Sequence, residues 1–389
     1  MAGEFSSSST HPPLPPTTED IRYAYLRLLR SRRVGPSTFH RLLTEHGTVQ
    51  NALAALPEVA RAAGVKNYEI CPEHIVETEL KAGARAGAQL LLYGHEGYPA
   101  PLTELSNAPP VLWAVGDVTL LARPAVSMVG ARNASTLGMR MARALSKDIA
   151  ARGFVVISGL ARGIDASVHT AALPTGTIAV VAGGVDVIYP AENADLAEKI
   201  GQTGVRLSEQ PMGLQPMARH FPARNRIIAG LGTVCIVVEA AAKSGSLITA
   251  REALDVGRDV LAVPGHPFDA RAAGCNMLIR DGATLVRNAT DVLEAINPIA
   301  TAGFEKAQQG DLLDTKLSDT THKTQRALLP DTTDLHTMIL SRLGPTPVPE
   351  DQLLRELKTP PGDLSPALTD LELNGKILRH SGGLLSKAS

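Results

Sequence analysis

Residues 233–265 read TVCIVVEAAAKSGSLITAREALDVGRDVLAVPG. TVCIVVEA is almost wholly apolar and rich in β-branched residues, which suits a strand buried on both faces. SLITAREALDVG mixes apolar and charged residues at helical spacing. DVLAVPG is a second apolar run, closed by proline and glycine. Near-continuous apolar strands separated by helices argue for a parallel sheet covered on both faces. In such a sheet a ligand sits beyond the carboxyl ends of the strands, so the loop AAAKSGS is a place to look for one.

The same alternation runs outward from about residue 122. Strand candidates are AVSMVG, FVVISG, TIAVVAGG, GVRLSE and ATLV, and TLGMRMARALSKDIAARG, ASVHTAAL and AENADLAEKIG are helical stretches between them. The fold class expected is α/β, with a Rossmann-like, doubly wound, mainly parallel sheet over residues 96–297. Residues 18–95 read as a small helical module, with helices in EDIRYAYLRLLR, SRRVGPSTFHRLLTEHG and IVETELKAGARAGAQLLLY. RVGPSTFHRLL resembles half of a helix-hairpin-helix, which would make the module SAM- or helix-hairpin-helix-like. A helical packing module without a ligand is the alternative. Residues 1–17 read as a disordered Ser/Pro tail and not as a signal peptide. Residues 298–330 are polar and aperiodic, a linker. Residues 331–389 give three helices and then ILRHSGGLLSK, a hairpin around Ser-Gly-Gly, the order of a winged-helix domain. Its third helix carries Asp363, Asp370 and Glu372, so a protein partner suits it as well as duplex DNA.

Composition sets limits. With 38 basic and 39 acidic residues the net charge is −1, which excludes a wholly electrostatic nucleic-acid binder and leaves room for a local basic groove. Three widely spaced cysteines, Cys71, Cys235 and Cys275, form neither a disulfide framework nor a metal-ligand pattern, which suits a reducing cytoplasm. No apolar run is long enough for a membrane span. Aromatic residues are only 3% of the chain, so a ring near a loop counts for more than usual.

Several strand-to-helix loops carry small residues, and four of them carry Arg or Lys. VGARNAS holds Arg132. SGLARGIDASVH holds Ser158, Gly159, Arg162 and Gly163. HFPARNRIIAG holds Phe221, Arg224, Asn225 and Arg226, and AAAKSGS holds Lys243, Ser244 and Gly245. In this fold they converge on one sheet edge and form a positive, amide-rich groove whose natural ligand is a phosphate chain. Arg224 and Arg226 lie two apart at a helix start and point to different sides. One should face the ligand while the other braces the fold, and Arg162 or Arg226 could instead pair with Asp165 or Glu209.

A cofactor and a catalytic set are not expected. The G-x-G-x-x-G and Walker A spacings are missing. Asp165 and His169 stand four apart with Ser158 nearby, yet no Gly-x-Ser-x-Gly elbow accompanies them. GLGTVCIVVEA is similar to the GGxGTxxE signature of the nucleotide-ribose hydrolases. Here Glu239 lies six residues beyond Thr233 instead of three; that departure weakens the enzymatic reading, and a Rossmannoid nucleotide-processing enzyme remains the alternative.

In order, VGARNAS, SGLARGIDASVHTAAL, GGVDVIYPAEN, SEQPMGLQPMARHFPARNRIIAGL, VVEAAAKSGSLITAREALDVGRDVLAVPG and GCNMLIRDGA resemble the DNA-processing protein A family (DprA, also called Smf). The resemblance implies sequence-tolerant binding of single-stranded DNA in natural transformation, protection of the incoming strand and loading of the RecA recombinase. It also implies a homodimer through the Rossmann-like domain, a cytoplasmic setting, and no enzymatic activity or metal. Carried onto this chain, it makes Arg132, Phe221 and Asn225 the leading contacts, followed by Ser158, Gly159, Lys243 and Ser244.

Overall fold

The computed structural model describes residues 18–296 throughout and, further on, residues 336, 339–340, 348–349, 368, 371–372, 376–380 and 384–387. The expected tail at 1–17, the linker at 298–330 and most of the three C-terminal helices lie outside the described residues.

Four helices open the described chain: α1 (Thr18–Arg30), α2 (Pro36–His46), α3 (Val49–Ala62) and α4 (Glu73–Arg85). Leu26, Leu28, Phe39 and Leu42 are fully buried between them. The expected helix over 75–93 ends at Arg85. Gly87 takes φ 63°, and Gln89–Leu92 is strand β1, antiparallel to β2 (Val111–Gly116). A short apolar run such as QLLL does not tell strand from helix by itself; here its pairing with β2 decides. The sheet therefore starts before residue 96.

The helical module is fastened to that pair. Arg30 donates to both oxygens of buried Glu79, at 2.9 and 2.8 Å, and Trp113 Nε1 of β2 donates to Glu79 at 2.8 Å. A Cβ on Gly83 would lie 2.4 Å from the Trp113 ring, so glycine lets α4 lie directly on it.

All seven strand candidates form strands: β3 (Ala125–Val129), β4 (Val155–Ser158), β5 (Thr177–Val180), β6 (Val205–Ser208), β7 (Val234–Val237), β8 (Asp259–Ala262) and β9 (Thr284–Leu285). These seven pair in parallel; β2 joins β6 antiparallel, giving the order β1-β2-β6-β5-β4-β3-β7-β8-β9. Helices α5 (Thr136–Ala151), α6 (Ile164–Ala172), α7 (Ala194–Thr203), α8 (His220–Leu231), α9 (Ser246–Asp255), α10 (Ala273–Arg280) and α11 (Ala289–Ile296) connect and cover the strands. Alternation divides the core: Val155 and Ile157 enter one cluster with Ile227 and Ile228, while Val156 enters the other with Met128 and Ile149. The chain starts the parallel sheet at β3, adds β4 to β6 on one side, then returns to add β7 to β9 on the other. The order reverses between β3 and β7, and that is where a doubly wound sheet opens a crevice.

In a separate C-terminal unit, β10 (Val348–Pro349), β11 (Ile377–His380) and β12 (Leu384–Lys387) form a sheet in the order β10-β12-β11. Ile377 stands opposite Lys387 and His380 opposite Leu384, the hairpin expected for ILRHSGGLLSK. Among the described residues no helix is long and apolar enough to cross a membrane.

Removing one partner of a buried, hydrogen-bonded ion pair leaves the other charge unpaired. Glu79→Ala is expected to lower the free energy of unfolding by about 3–5 kcal/mol. Urea denaturation followed by Trp113 emission measures it. A loss below about 1 kcal/mol, the scale of an exposed pair, would show that this pair does not fasten the module.

Candidate nucleic-acid interface

At the crevice β3 and β7 lie side by side, with Val129 opposite Val237. Their loops leave the same end and diverge to α5 and α9. Between them opens a cleft of about 640 Å³. Gly130–Asn133 form one wall and Lys243–Ser246 the other. The first two turns of α8 bring in Phe221 and Asn225, and Arg271 also lines the cleft.

One contact organises the mouth. The Arg132 guanidinium lies 4.9 Å from the centre of the half-buried Phe221 ring. Tyr189, half exposed, stands 5.9 Å from Phe221. Together they form a ledge of two rings capped by a cation. Arg132, Arg162 and Lys243 are exposed. Arg162 is 3.6 Å from Glu192, and both side chains are more than half exposed, so water screens that pair and Arg162 can leave it cheaply.

Arg224 is the floor. It is buried, donates to the Val180 carbonyl at 2.8 Å, and lines both the cleft and a smaller pocket behind Phe221. Gly159 makes room for it, since a Cβ there would fall 1.7 Å from Arg224 Nη1. Burial lowers the Arg224 pKa to about 10, against the opposing pull of Asp165. Burial likewise raises the Asp165 carboxyl, whose Oδ2 accepts the amides of Gly159 and Ala161 at 3.1 and 3.3 Å.

Several expected contacts turn out to brace the fold. Ser158 is fully buried, and its hydroxyl donates to the Met128 carbonyl at 2.6 Å. It is the last residue of β4 and points into the sheet instead of the loop. Gly163, at φ 75°, would set a Cβ 2.3 Å from the Ala131 carbonyl oxygen; it lets two loops touch, so Arg132 is held from behind. Arg226 is buried and paired with Glu209, away from the cleft. Between the two arginines of α8, the floor is therefore Arg224 and the brace Arg226, and neither is exposed. Ser244 accepts the Ser246 amide at 3.3 Å just before α9 and also lines the cleft. Gly245 has open space where a Cβ would go. Sequence reasoning noted Tyr189 in the loop AGGVDVIYPAEN without making it a contact, and left out Arg271. Arg271 follows its loop by several residues and nothing local marked it.

The groups considered for catalysis are engaged elsewhere. Glu239 accepts Ser135 N at 2.9 Å and also the Ser135 hydroxyl, at the start of α5. His169 Nδ1 lies 2.9 Å from Thr177 Oγ1, and the Ser158 hydroxyl is given to the Met128 carbonyl. Complete burial pulls the His169 pKa down to about 3, with Arg224 adding to the shift.

The unfolded chain thus takes up a proton near pH 6.5 that the folded protein refuses until about 3. Stability should fall as the pH drops through that window, by up to about 1.4 kcal/mol per unit. His169→Gln cannot titrate, and its acid limb should be shallower in urea denaturation measured across the same range. Identical limbs would exclude His169 as the cause.

The model of the DNA recombination-mediator protein A family matches residues 89–297, that of the DprA-like N-terminal HHH domain residues 19–82, and that of the DprA winged helix domain residues 323–383. The chain is 33% identical to protein Smf of Synechocystis, over 90% of this chain and 94% of that one. It is 42% identical to DNA processing protein DprA of Bacillus subtilis, over 56% of this chain and 74% of that one. The solved structure of Streptococcus pneumoniae DprA superimposes with a TM-score of 0.62 at 35% identity, over 70% of this chain and 96% of that one. For DNA processing protein A of Helicobacter pylori, in a structure addressing its single-stranded DNA binding mode, the TM-score is 0.50 at 30% identity, over 55% and 96%.

Proposed function

Because this chain belongs to the DNA recombination-mediator protein A family of DprA and Smf proteins, we propose that its cleft binds single-stranded DNA with little regard to sequence. The observation that carries this reading is the Arg132–Phe221 stack at the mouth of the cleft. A single strand offers two things to grip, a line of phosphates and a row of unstacked bases. Arg132, Arg162 and Lys243, all exposed, can meet the phosphates. Phe221 and Tyr189 offer π-faces, and every base has one, so the grip is indifferent to sequence. Asn225, Ser244 and Gly245 line the cleft; the first would donate to phosphate or sugar, and the other two would allow close backbone approach. Arg224 contributes positive potential from the floor of the cleft. The H. pylori relative, described for its single-stranded DNA binding, supports the same ligand.

The family's role in transformation extends the proposal: the chain acts as a homodimer in the cytoplasm, protects the strand and delivers it to a RecA-type recombinase. Addition of the chain should then shorten the lag of RecA filament growth on single strands coated with a binding protein. The competing nucleotide-processing reading finds no support at Glu239, whose carboxylate is committed to Ser135.

Two substitutions separate stacking from charge. Phe221→Ala should weaken oligo-dT binding by about 1–3 kcal/mol and leave its salt dependence unchanged. Lys243→Ala should reduce the slope of log affinity against log salt by about 1. Fluorescence anisotropy across a salt series measures both. Wild-type affinity and slope in both variants would remove the cleft as the binding site.

A further inference from the structure

Phe268 is 95% exposed, more than any other large apolar side chain among the described residues. Its loop leaves the carboxyl end of β8, which neighbours β7, so it emerges at the same sheet edge as the cleft. Three residues on, Arg271 lines the cleft itself.

The loop is built to hold its shape. Gly265 and Asn276 exchange two hydrogen bonds, at 3.2 and 3.0 Å, across its base. Asp269 N donates to the His266 carbonyl and Ala272 N to the Asp269 carbonyl, each at 2.9 Å. Phe268 N donates to His266 Nδ1 at 3.3 Å, and the two rings lie 5.5 Å apart. A Cβ on Gly265 would fall 2.4 Å from that of Ala272, so the two ends of the turn are in close contact. Asp269, the one acid in the turn, is taken up by Arg271 at 3.1 and 3.2 Å. A braced turn holds a bare aromatic ring in water, beside a cation that reaches the cleft.

We infer that Phe268 is a second stacking platform for the same strand. The strand that crosses Arg132 and Phe221 continues past Lys243 and Arg271 and lays a further base on Phe268. Arg132 leaves β3 and Phe268 leaves β8, two strand spacings away, about 10 Å at the sheet edge. A short piece of extended strand covers that distance. This inference rests on the single-strand reading of the cleft and adds to it a direction and a length. The strand runs across the sheet edge from β3 towards β9, and the site is longer than the cleft.

The test uses the full chain and two oligo-dT probes of about 6 and about 16 nucleotides, within the range that single-strand sites occupy. Phe268→Ala should match wild type on the short probe and bind the long one about 5-fold or more weakly, the lower end for one stacked base. Phe221→Ala should lose affinity on both. Phe268→Trp should restore the long-probe affinity, and its emission should be quenched as the long probe binds. The chain's single natural tryptophan, Trp113, is 2% exposed and gives a steady background. Equal affinity of Phe268→Ala and wild type on the long probe would overturn the inference. So would a Phe268→Ala chain whose mass by light scattering falls while long-probe affinity holds, since the ring would then belong to a contact between copies. If wild type binds neither probe, the single-strand reading itself fails.

Discussion

The site depends on one clasp, the joining of the loop after β3 to the end of β7. Ala131 N donates to the Glu239 carbonyl at 2.7 Å, and Val238 N to the Val129 carbonyl at 3.0 Å. The Glu239 side chain then reaches Ser135, whose hydroxyl accepts Gly138 N at 2.9 Å and caps α5. Gly138 has to be glycine-sized, for a Cβ there would lie 2.4 Å from Glu239 Oε2. Arg132 sits between these anchors, with Gly163 pressed against the same loop from the other side. A cation over an aromatic ring needs its approach fixed to be worth much. The clasp fixes it before any ligand arrives.

Charge is sorted by depth. The chain as a whole is nearly neutral, and its deepest arginines are matched inside: Arg226 by Glu209, Arg224 by the Val180 carbonyl with Asp165 opposite. Exposed cations around the cleft have weak partners or none among the described residues. A buried cation that lost its partners would be costly, so these two are structural even though one of them forms the floor of the site. An exposed lysine or arginine exchanges water for phosphate at little cost, which is the exchange that makes such binding salt-dependent.

Most of the parallel sheet was legible, because buried strands and amphipathic helices differ in period and composition. β1 and β2 were not, since QLLL continues a helical stretch and its pairing with VLWAVG is a tertiary fact. Loops can be assigned to a sheet edge from sequence, but the direction of one side chain cannot. Ser158 and Gly159 are neighbours at the end of β4; the first turns inward to Met128, and the second clears space for Arg224. Arg224 and Arg226 do diverge around α8, as a spacing of two requires. Both are nevertheless buried, because this helix is covered on more than one side. Arg271 belongs to the site only because β8 lies next to β7.

Where the few rings went separates structure from function. The two clusters flanking the parallel sheet are nearly all aliphatic; buried Tyr98 and half-buried Tyr93 and Phe154 are their rings. Tyr25, Phe39 and Trp113 fill the core of the helical module. Phe221, Tyr189 and Phe268 stay at the sheet edge, half-buried or exposed, on loops or a helix start. The core is complete without them, since Val, Ile, Leu and Ala fill it. Packing therefore gives no reason for these three rings. The proposed stacking against bases would give one, and it would need them where they are, beside the exposed cations and at the point where the sheet order reverses.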